Sequence, residues 1–158
     1  MKNILILIII LFNGLLFAQP EVEPAGIKLT SAVEPSSMIL SKFAYDYPNT
    51  RAIWTKEEDN IYAAMFRDQN TNLNKIIRYD INGNVLSREN ELENNTYPVS
   101  ISKFLAKKYP AETHSVWSYE MAGKKTYHIT HGEDTFWFNS EGKYTKTIRQ
   151  TTALNKKS

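Results

Sequence analysis

The sequence contains no cysteine among its 158 residues, and only six glycines and six prolines. The lack of cysteine excludes disulfides, a thiol nucleophile and any thiolate metal site. Small exported proteins often depend on disulfides. If this chain is exported, packing alone must therefore hold its fold together.

An excess of charge of either sign is also missing, since 19 basic residues face 17 acidic ones. Binding of nucleic acid or of an anionic membrane needs a clustered positive field, so neither partner is expected. Serines are plentiful, but none lies in a Gly-x-Ser-x-Gly motif, and no glycine-rich cofactor loop is present. The sequence therefore predicts a protein that is not an enzyme and needs no cofactor.

Long apolar runs are confined to one place, residues 4–12, which follow the positive start Met1-Lys2-Asn3. With the small residue Ala18 before Gln19, this is the layout of a signal peptide spanning residues 1–18. A membrane-spanning helix would need about 20 apolar residues. We expect a periplasmic or secreted protein that does not contact the membrane after cleavage. Residues 19–34, with scattered prolines and charges, are predicted to be a mobile leader.

The remaining sequence is dominated by an internal repeat with a period of about 60 residues. Residues 41–48, SKFAYDYP, are followed by Ile53-Trp54, and residues 102–110, SKFLAKKYP, are followed by Val116-Trp117. Each copy then reaches an aromatic residue and a glycine turn, at residues 79–83 and 138–142. Such self-similarity indicates one structural unit that occurs twice.

Each unit reads as a helix followed by four short strands. Apolar residues recur at three- and four-residue steps over 36–47 and 99–109, and Pro48 and Pro110 end these helices. Predicted strands follow at 52–54, 61–67, 75–79 and 84–88, then at 114–119, 125–130, 135–139 and 143–148. The fold class is therefore α+β: two tandem units, each a helix plus a four-stranded antiparallel meander, forming a joined sheet with both helices on one face.

The predicted boundaries follow from this division. The first unit spans 35–89, a linker rich in Asn and Glu spans 90–97, the second unit spans 98–150, and a polar tail spans 151–158.

These motifs resemble the PepSY-like family, which is often described as beta-lactamase-inhibitor-protein-like and is common in secreted proteins of the Bacteroidetes. The similarity lies in the helix ending Tyr-Pro, the Val/Ile-Trp strand, the strand containing Tyr62, Ala64 and Phe66, and the Tyr-Asp-x-Asn-Gly turn. The second unit departs from the pattern, because His131 stands where Phe66 would be. The resemblance implies an α+β repeat fold in the cell envelope and, by analogy, protein binding or enzyme inhibition.

Strand alternation predicts a second, partly apolar sheet face. If Tyr62, Ala64 and Phe66 point towards the helix, Ile61 and Met65 point away from it. Apolar residues on an uncovered face indicate internal packing or a partner. The partner-binding candidates are Trp137, Met65, Ile61, Trp54 and Trp117.

The three tryptophans are not equal candidates. Trp54 and Trp117 occupy equivalent places in the repeat, which favours core packing for both, whereas Trp137 aligns with Arg78 and is the better surface candidate.

Three functions are compatible with these features: a protein-binding module that inhibits an envelope or extracellular enzyme, a structural envelope protein, or a carrier of a small molecule or metal. Metal ligation has little support in the sequence. His128 and His131 would face opposite sides of a strand. The stretch from Asp80 to Glu91 has its glycine at the fourth position of a calcium loop rather than the sixth. No metal site is therefore expected.

Overall fold

The computed structural model describes residues 33–57 and 60–150. The predicted signal peptide, nearly all of the leader and the predicted tail lie outside the described residues. The elements, in chain order, are α1 (Ser37–Asp46), β1 (Ile53–Lys56), β2 (Tyr62–Arg67), β3 (Asn74–Tyr79), β4 (Val85–Leu92), α2 (Val99–Lys108), β5 (Val116–Met121), β6 (Lys124–His131), β7 (Asp134–Phe138) and β8 (Tyr144–Arg149). The predicted α+β class and all eight predicted strands are present.

The eight strands form one antiparallel sheet in which each strand pairs with the next along the chain. The two halves of the sheet join where β4 pairs with β5, from Ser87 opposite Met121 to Leu92 opposite Val116. The strand β4 therefore continues to Leu92, past its predicted end at Arg88. This extension uses the first residues of the predicted linker, because pairing with β5 satisfies their backbone groups.

Both helices pack on the same face of the sheet, which we call the helix face. Directly opposite residues of paired antiparallel strands share a face. Ile77, in the α1 core, is opposite Arg88, and Arg88 is opposite Glu120 of β5. Ser118, two residues before Glu120, is opposite Tyr127, which belongs to the α2 core. The sheet therefore has one helix-covered face, as the alternation predicts.

Each helix covers a small core of its own. Ile39 and Phe43 of α1 are buried against β2 and β3, and Ile101 and Leu105 of α2 are buried against β6 and β7. The apolar stripe that predicts each helix is thus the surface that packs on the sheet. Ser36 precedes α1, but its side chain makes no capping hydrogen bond.

The two helices end in the same local geometry. Tyr47 and Tyr109 have φ of −132° and −136°, and the amide of each donates a hydrogen bond to the carbonyl four residues earlier. Two residues later, Asn49 and Ala111 both have positive φ, of 61° and 70°. The intervening proline cannot continue the helix.

Among the described residues, no helix is both long enough and apolar enough to cross a membrane.

Candidate functional site

The sheet face opposite the helices, which we call the open face, has no described helix packed on it. Its centre is formed by side chains of β2 to β7: Ala63, Met65, Ile76, Arg78, Glu89, Trp117, Tyr119, His128 and Trp137. The side chains Ala63, Ile76 and Trp117 are buried there and form an apolar cluster, and the half-buried Met65 packs against it. The open face is thus apolar on the strands where alternation predicts an apolar surface.

A chain of charged groups crosses the middle of the open face. The Nε of Arg78 donates to both carboxylate oxygens of Glu57 at 3.0 Å, and its Nη1 forms an ion pair with Glu89. The other oxygen of Glu89 lies 3.0 Å from Nε2 of His128. Since an ionised carboxylate only accepts hydrogen bonds, Nε2 carries the proton in this contact. The network therefore links β3, β4 and β6.

Burial and the neighbouring groups shift the pKa of the Glu89 carboxyl in opposite directions. Burial raises the pKa of its carboxyl, but the hydrogen bond from His128 and the charge of Arg78 outweigh burial, so the net pKa lies below its ordinary value. For Arg78, burial lowers the pKa, and the charges of Glu89 and Glu57 raise it overall. Glu89 and Arg78 are both ionised at neutral pH, because each stabilises the charge of the other.

Aromatic rings surround the histidine of this network. His128 is stacked with Trp117 at 6.2 Å between ring centroids, and Trp137 lies 4.9 Å away on the next strand. Tyr119 meets Trp137 edge-on at 5.5 Å, and the ammonium group of Lys146 lies 5.9 Å from the Trp137 ring centroid. These contacts hold the large rings in place, so little side-chain entropy remains to be lost when another surface packs on them.

The five predicted partner-binding residues differ in position and in exposure. Trp137 and Met65 are half-buried on the open face, and Trp117 lies there with only 9% of its surface exposed. Ile61 is half-buried just before β2, where its carbonyl accepts a hydrogen bond from the amide of Glu57.

Trp54 lies on the opposite side of the sheet from Trp117, which corrects the expected equivalence of the two residues. Trp54 packs 5.3 Å from Phe43 of α1 on the helix face. The reason is one extra residue between Pro110 and Trp117, compared with Pro48 and Trp54. A shift of one residue reverses the face on which a strand side chain lies, so Val116 takes the inward place of Trp54.

The charge network was missed in the sequence because its members are far apart along the chain. Arg78 and Glu89 are separated by 11 residues and Glu89 and His128 by 39. The one available signal was that Arg78 and His128 occupy outward positions beside inward apolar residues, Ile77 on β3 and Ile129 on β6. The alternation of side chains along a strand shows which face each residue occupies. It does not show that Glu89 of β4 meets His128 of β6 across β5, because that contact depends on the register of the strands.

The sequence contains two patterns that could suggest a metal site, the pair His128 and His131 and the acidic turn that begins at Asp80. His128 and His131 face opposite sides of the sheet, as expected for a strand. The carboxylate of Asp80 accepts hydrogen bonds from the amides of Asn82 and Asn84 and from the Asn84 side chain, and the last of these contributes most to lowering its pKa. Asp80 is thus engaged in closing the hairpin turn.

No protein-family model and no curated protein matches the chain. Several solved structures share its fold. A BLIP-like protein of Bacteroides fragilis is 21% identical, with a TM-score of 0.53 over 80% of this chain and 95% of that one. A DUF2874 family protein of Bacteroides ovatus is 15% identical, with a TM-score of 0.58 over 74% and 89%. A protein of Bacteroides eggerthii provisionally assigned to the periplasm is 10% identical, with a TM-score of 0.60 over 78% and 94%. The chain therefore has the fold of these BLIP-like and DUF2874 proteins.

Proposed function

We propose that this protein is a non-catalytic binding module that holds a protein partner on its open face. The observation that carries the proposal is the half-buried pair Trp137 and Tyr119, which lies on the open face beside the buried Glu89–His128 hydrogen bond. Large aromatic side chains are the usual anchors of protein contacts. Covering this face would exclude water from Arg78 and Glu89, whose charges already pair with each other.

The non-catalytic part of the proposal rests on the state of the titratable groups. Glu89 is engaged with both His128 and Arg78, and the second ring nitrogen of His128 is buried without a hydrogen-bond partner among the described residues. A general acid or base must reach a substrate proton. We infer that the network is structural and organises the surface around it.

We further propose that the two halves are tandem copies of one PepSY-like unit. The support is local and geometric: the helices end in matching Tyr-Pro turns, with positive φ at Asn49 and Ala111, 62 residues apart. The third strand of each half carries an open-face residue at the aligned position, Arg78 on β3 and Trp137 on β7. Gene duplication followed by divergence would leave both features.

For the partner, we propose an envelope or extracellular enzyme that this protein inhibits. The arguments are the predicted signal peptide, which implies a periplasmic or secreted protein, and the shared fold with a BLIP-like protein.

Site-specific photocrosslinking in cells of the native host tests the proposal. A photoreactive amino acid at Met65, on the open face, should give a discrete crosslinked product with a second protein. The matched control is the same amino acid at Tyr45, which is 83% exposed on α1 and points away from the sheet. This control should give no discrete product.

Two other outcomes would contradict the proposal. A Met65 crosslink only within this chain or to another copy of it would support the structural envelope protein, whose open face is covered by its own leader or by a second copy. Equal crosslinking from Met65 and Tyr45 would show that the open face has no preference for a partner.

A further inference from the structure

We propose that Glu112, His114 and His131 form a binding site for a divalent transition-metal ion, with Zn²⁺ as the ion that fits best. Each of these three residues has one potential ligand atom that lies close to the ligand atoms of the other two residues. His114 Nε2 and His131 Nδ1 are 3.2 Å apart, and Glu112 Oε2 is 3.7 Å from the first and 3.5 Å from the second. The site lies beside the end of α2, apart from the charge network of the open face, and does not depend on the proposed function.

The three distances match the ligand triangle of a tetrahedral zinc site. Zinc binds histidine nitrogen and carboxylate oxygen at about 2.0–2.2 Å, which places the ligand atoms of a tetrahedron roughly 3.3–3.6 Å apart. The distances of 3.2, 3.5 and 3.7 Å require shifts of only a few tenths of an ångström. Two histidines and one glutamate are also a ligand set that zinc uses, with a fourth position left for water.

Direct hydrogen bonding explains this arrangement less well. The two rings can share one proton at 3.2 Å, but the carboxylate oxygen is beyond hydrogen-bond distance from both nitrogens. Glu112 is thus close to both rings without a direct hydrogen bond to either. A cation between the three atoms would bind all of them at once.

The fold holds the two rings in position before any ion binds. The ring of Tyr109, the last residue before the Pro110 turn, stacks on His131 at 4.0 Å and lies 5.1 Å from His114. The side chain of His114 is only 4% exposed, whereas that of Glu112 is 53% exposed. His114 is buried, whereas the side chain of His131 is 37% exposed. With the solvent-facing carboxylate of Glu112, this arrangement gives an ion a route in and leaves room for water.

The first half of the chain shows that the fold itself does not require these residues. Counting from the matching Tyr-Pro turns, Thr50 and Ala52 occupy the places of Glu112 and His114. Phe66 occupies the place of His131 and packs 4.7 Å from Tyr47, as His131 packs on Tyr109. Ordinary apolar packing fills the position in one half, and three potential ligands fill it in the other.

Isothermal titration of the untagged protein with ZnCl₂ tests the site. We expect one Zn²⁺ per chain for the wild type. Glu112→Gln and His131→Gln should each weaken binding by at least tenfold, since even the loss of residues that support ligands weakens metal affinity 10–100-fold. Glu112→Gln is the principal variant, because the exposed side chain is not needed for packing. Glu93→Gln is the matched control, an exposed glutamate outside the cluster that should bind as the wild type does.

Co²⁺ provides a second readout that reports geometry. Binding at this site should give the visible absorption of a four-coordinate ion in the wild type and in Glu93→Gln, and the signal should be lost in Glu112→Gln. The proposal is overturned if the wild type shows no one-to-one Zn²⁺ binding at millimolar concentration. It is also overturned if Glu112→Gln and His131→Gln bind Zn²⁺ as tightly as the wild type.

Discussion

At the scale of single residues, Glu89 shows how a charge is accommodated inside a largely apolar surface. Only 7% of the residue is exposed, yet one carboxylate oxygen pairs with Arg78 and the other with His128. Because the net pKa of Glu89 is lowered, the folded protein holds this proton less tightly than the unfolded chain. The resulting stability is present above the ordinary glutamate pKa, about 4.3, and is lost as the pH falls through the lowered folded pKa.

We predict that Glu89→Gln lowers the free energy of unfolding by about 3 kcal/mol at pH 7, because breaking a buried ion pair leaves a charge without its partner. The difference between wild type and variant should shrink as the pH is lowered from 7 to 3. Urea denaturation at several pH values measures both quantities. Glu93→Gln, at an exposed position, should show no such difference. If the difference in free energy of unfolding between wild type and Glu89→Gln stays constant with pH, Glu89 is not the group that titrates.

His131 shows the limit of residue-level reasoning from the sequence. The departure from the repeat pattern at this position is visible in the sequence, because the first unit has Phe66 there. What the departure brings together is not visible, since Glu112 and His114 lie 19 and 17 residues earlier and meet His131 only through the pairing of β5 with β6.

At the scale of elements, helix and strand positions could be predicted because periodicity is a local property. The two proline-ended helices and all eight strands lie where the apolar spacing places them, within a few residues. Register could not be predicted in the same way. The extra residue before Trp117 reverses its face relative to Trp54, and nothing in the dipeptides Ile53-Trp54 and Val116-Trp117 shows where the strand begins.

The turn between β7 and β8 packs closely against the start of α2, so the two elements constrain each other. Gly142 has φ of 77°, and a Cβ added there would lie 2.4 Å from Ser100 Oγ and 2.5 Å from Pro98 Cβ, at the start of α2. Ser100 also donates a hydrogen bond to the carbonyl of Glu141 in the same turn. Gly83 has a similar φ, of 79°, near the start of α1, but a Cβ there would meet nothing closer than 3.6 Å.

We predict that Gly142→Ala destabilises the protein more than Gly83→Ala. Both changes carry the penalty of a left-handed backbone, about 1–2 kcal/mol. Only Gly142→Ala also forces the turn away from α2, which adds roughly 1–3 kcal/mol by overpacking. Chemical denaturation of the two variants under the same conditions measures the difference. Equal losses of stability would show that the turn does not contact α2 closely.

At the scale of the whole molecule, the joined sheet divides the protein into two surfaces with different chemistry. The helix face is occupied by the cores under α1 and α2, whereas the open face presents aromatic rings around the Arg78–Glu89 ion pair and the hydrogen bond from His128 to Glu89. The sequence predicts this division, because alternation assigns Met65 and Trp137 to the second face. The continuous sheet itself depends on β4 pairing with β5, for which the sequence between the repeats gives no direct signal.

Trp137→Ala tests most directly whether the open face binds a protein. Against the partner identified by crosslinking, the variant should lose about 2 kcal/mol of binding free energy, roughly 30-fold in Kd, if Trp137 is an anchor. Because Trp137 is only half-buried, the melting temperature of the Trp137→Ala variant should stay close to that of the wild type. Tyr45→Ala, which removes an exposed ring from α1, should change neither quantity.

The contradicting result is a loss of about 3–5 kcal/mol of folding stability in Trp137→Ala, the amount expected for a core aromatic residue, together with unchanged affinity in the fraction that remains folded. That outcome would make Trp137 part of the internal packing of the sheet. Thermal melts and binding titrations of wild type, Trp137→Ala and Tyr45→Ala, made side by side, distinguish the two results. Trp137→Ala alone should lose binding while its folding stays intact.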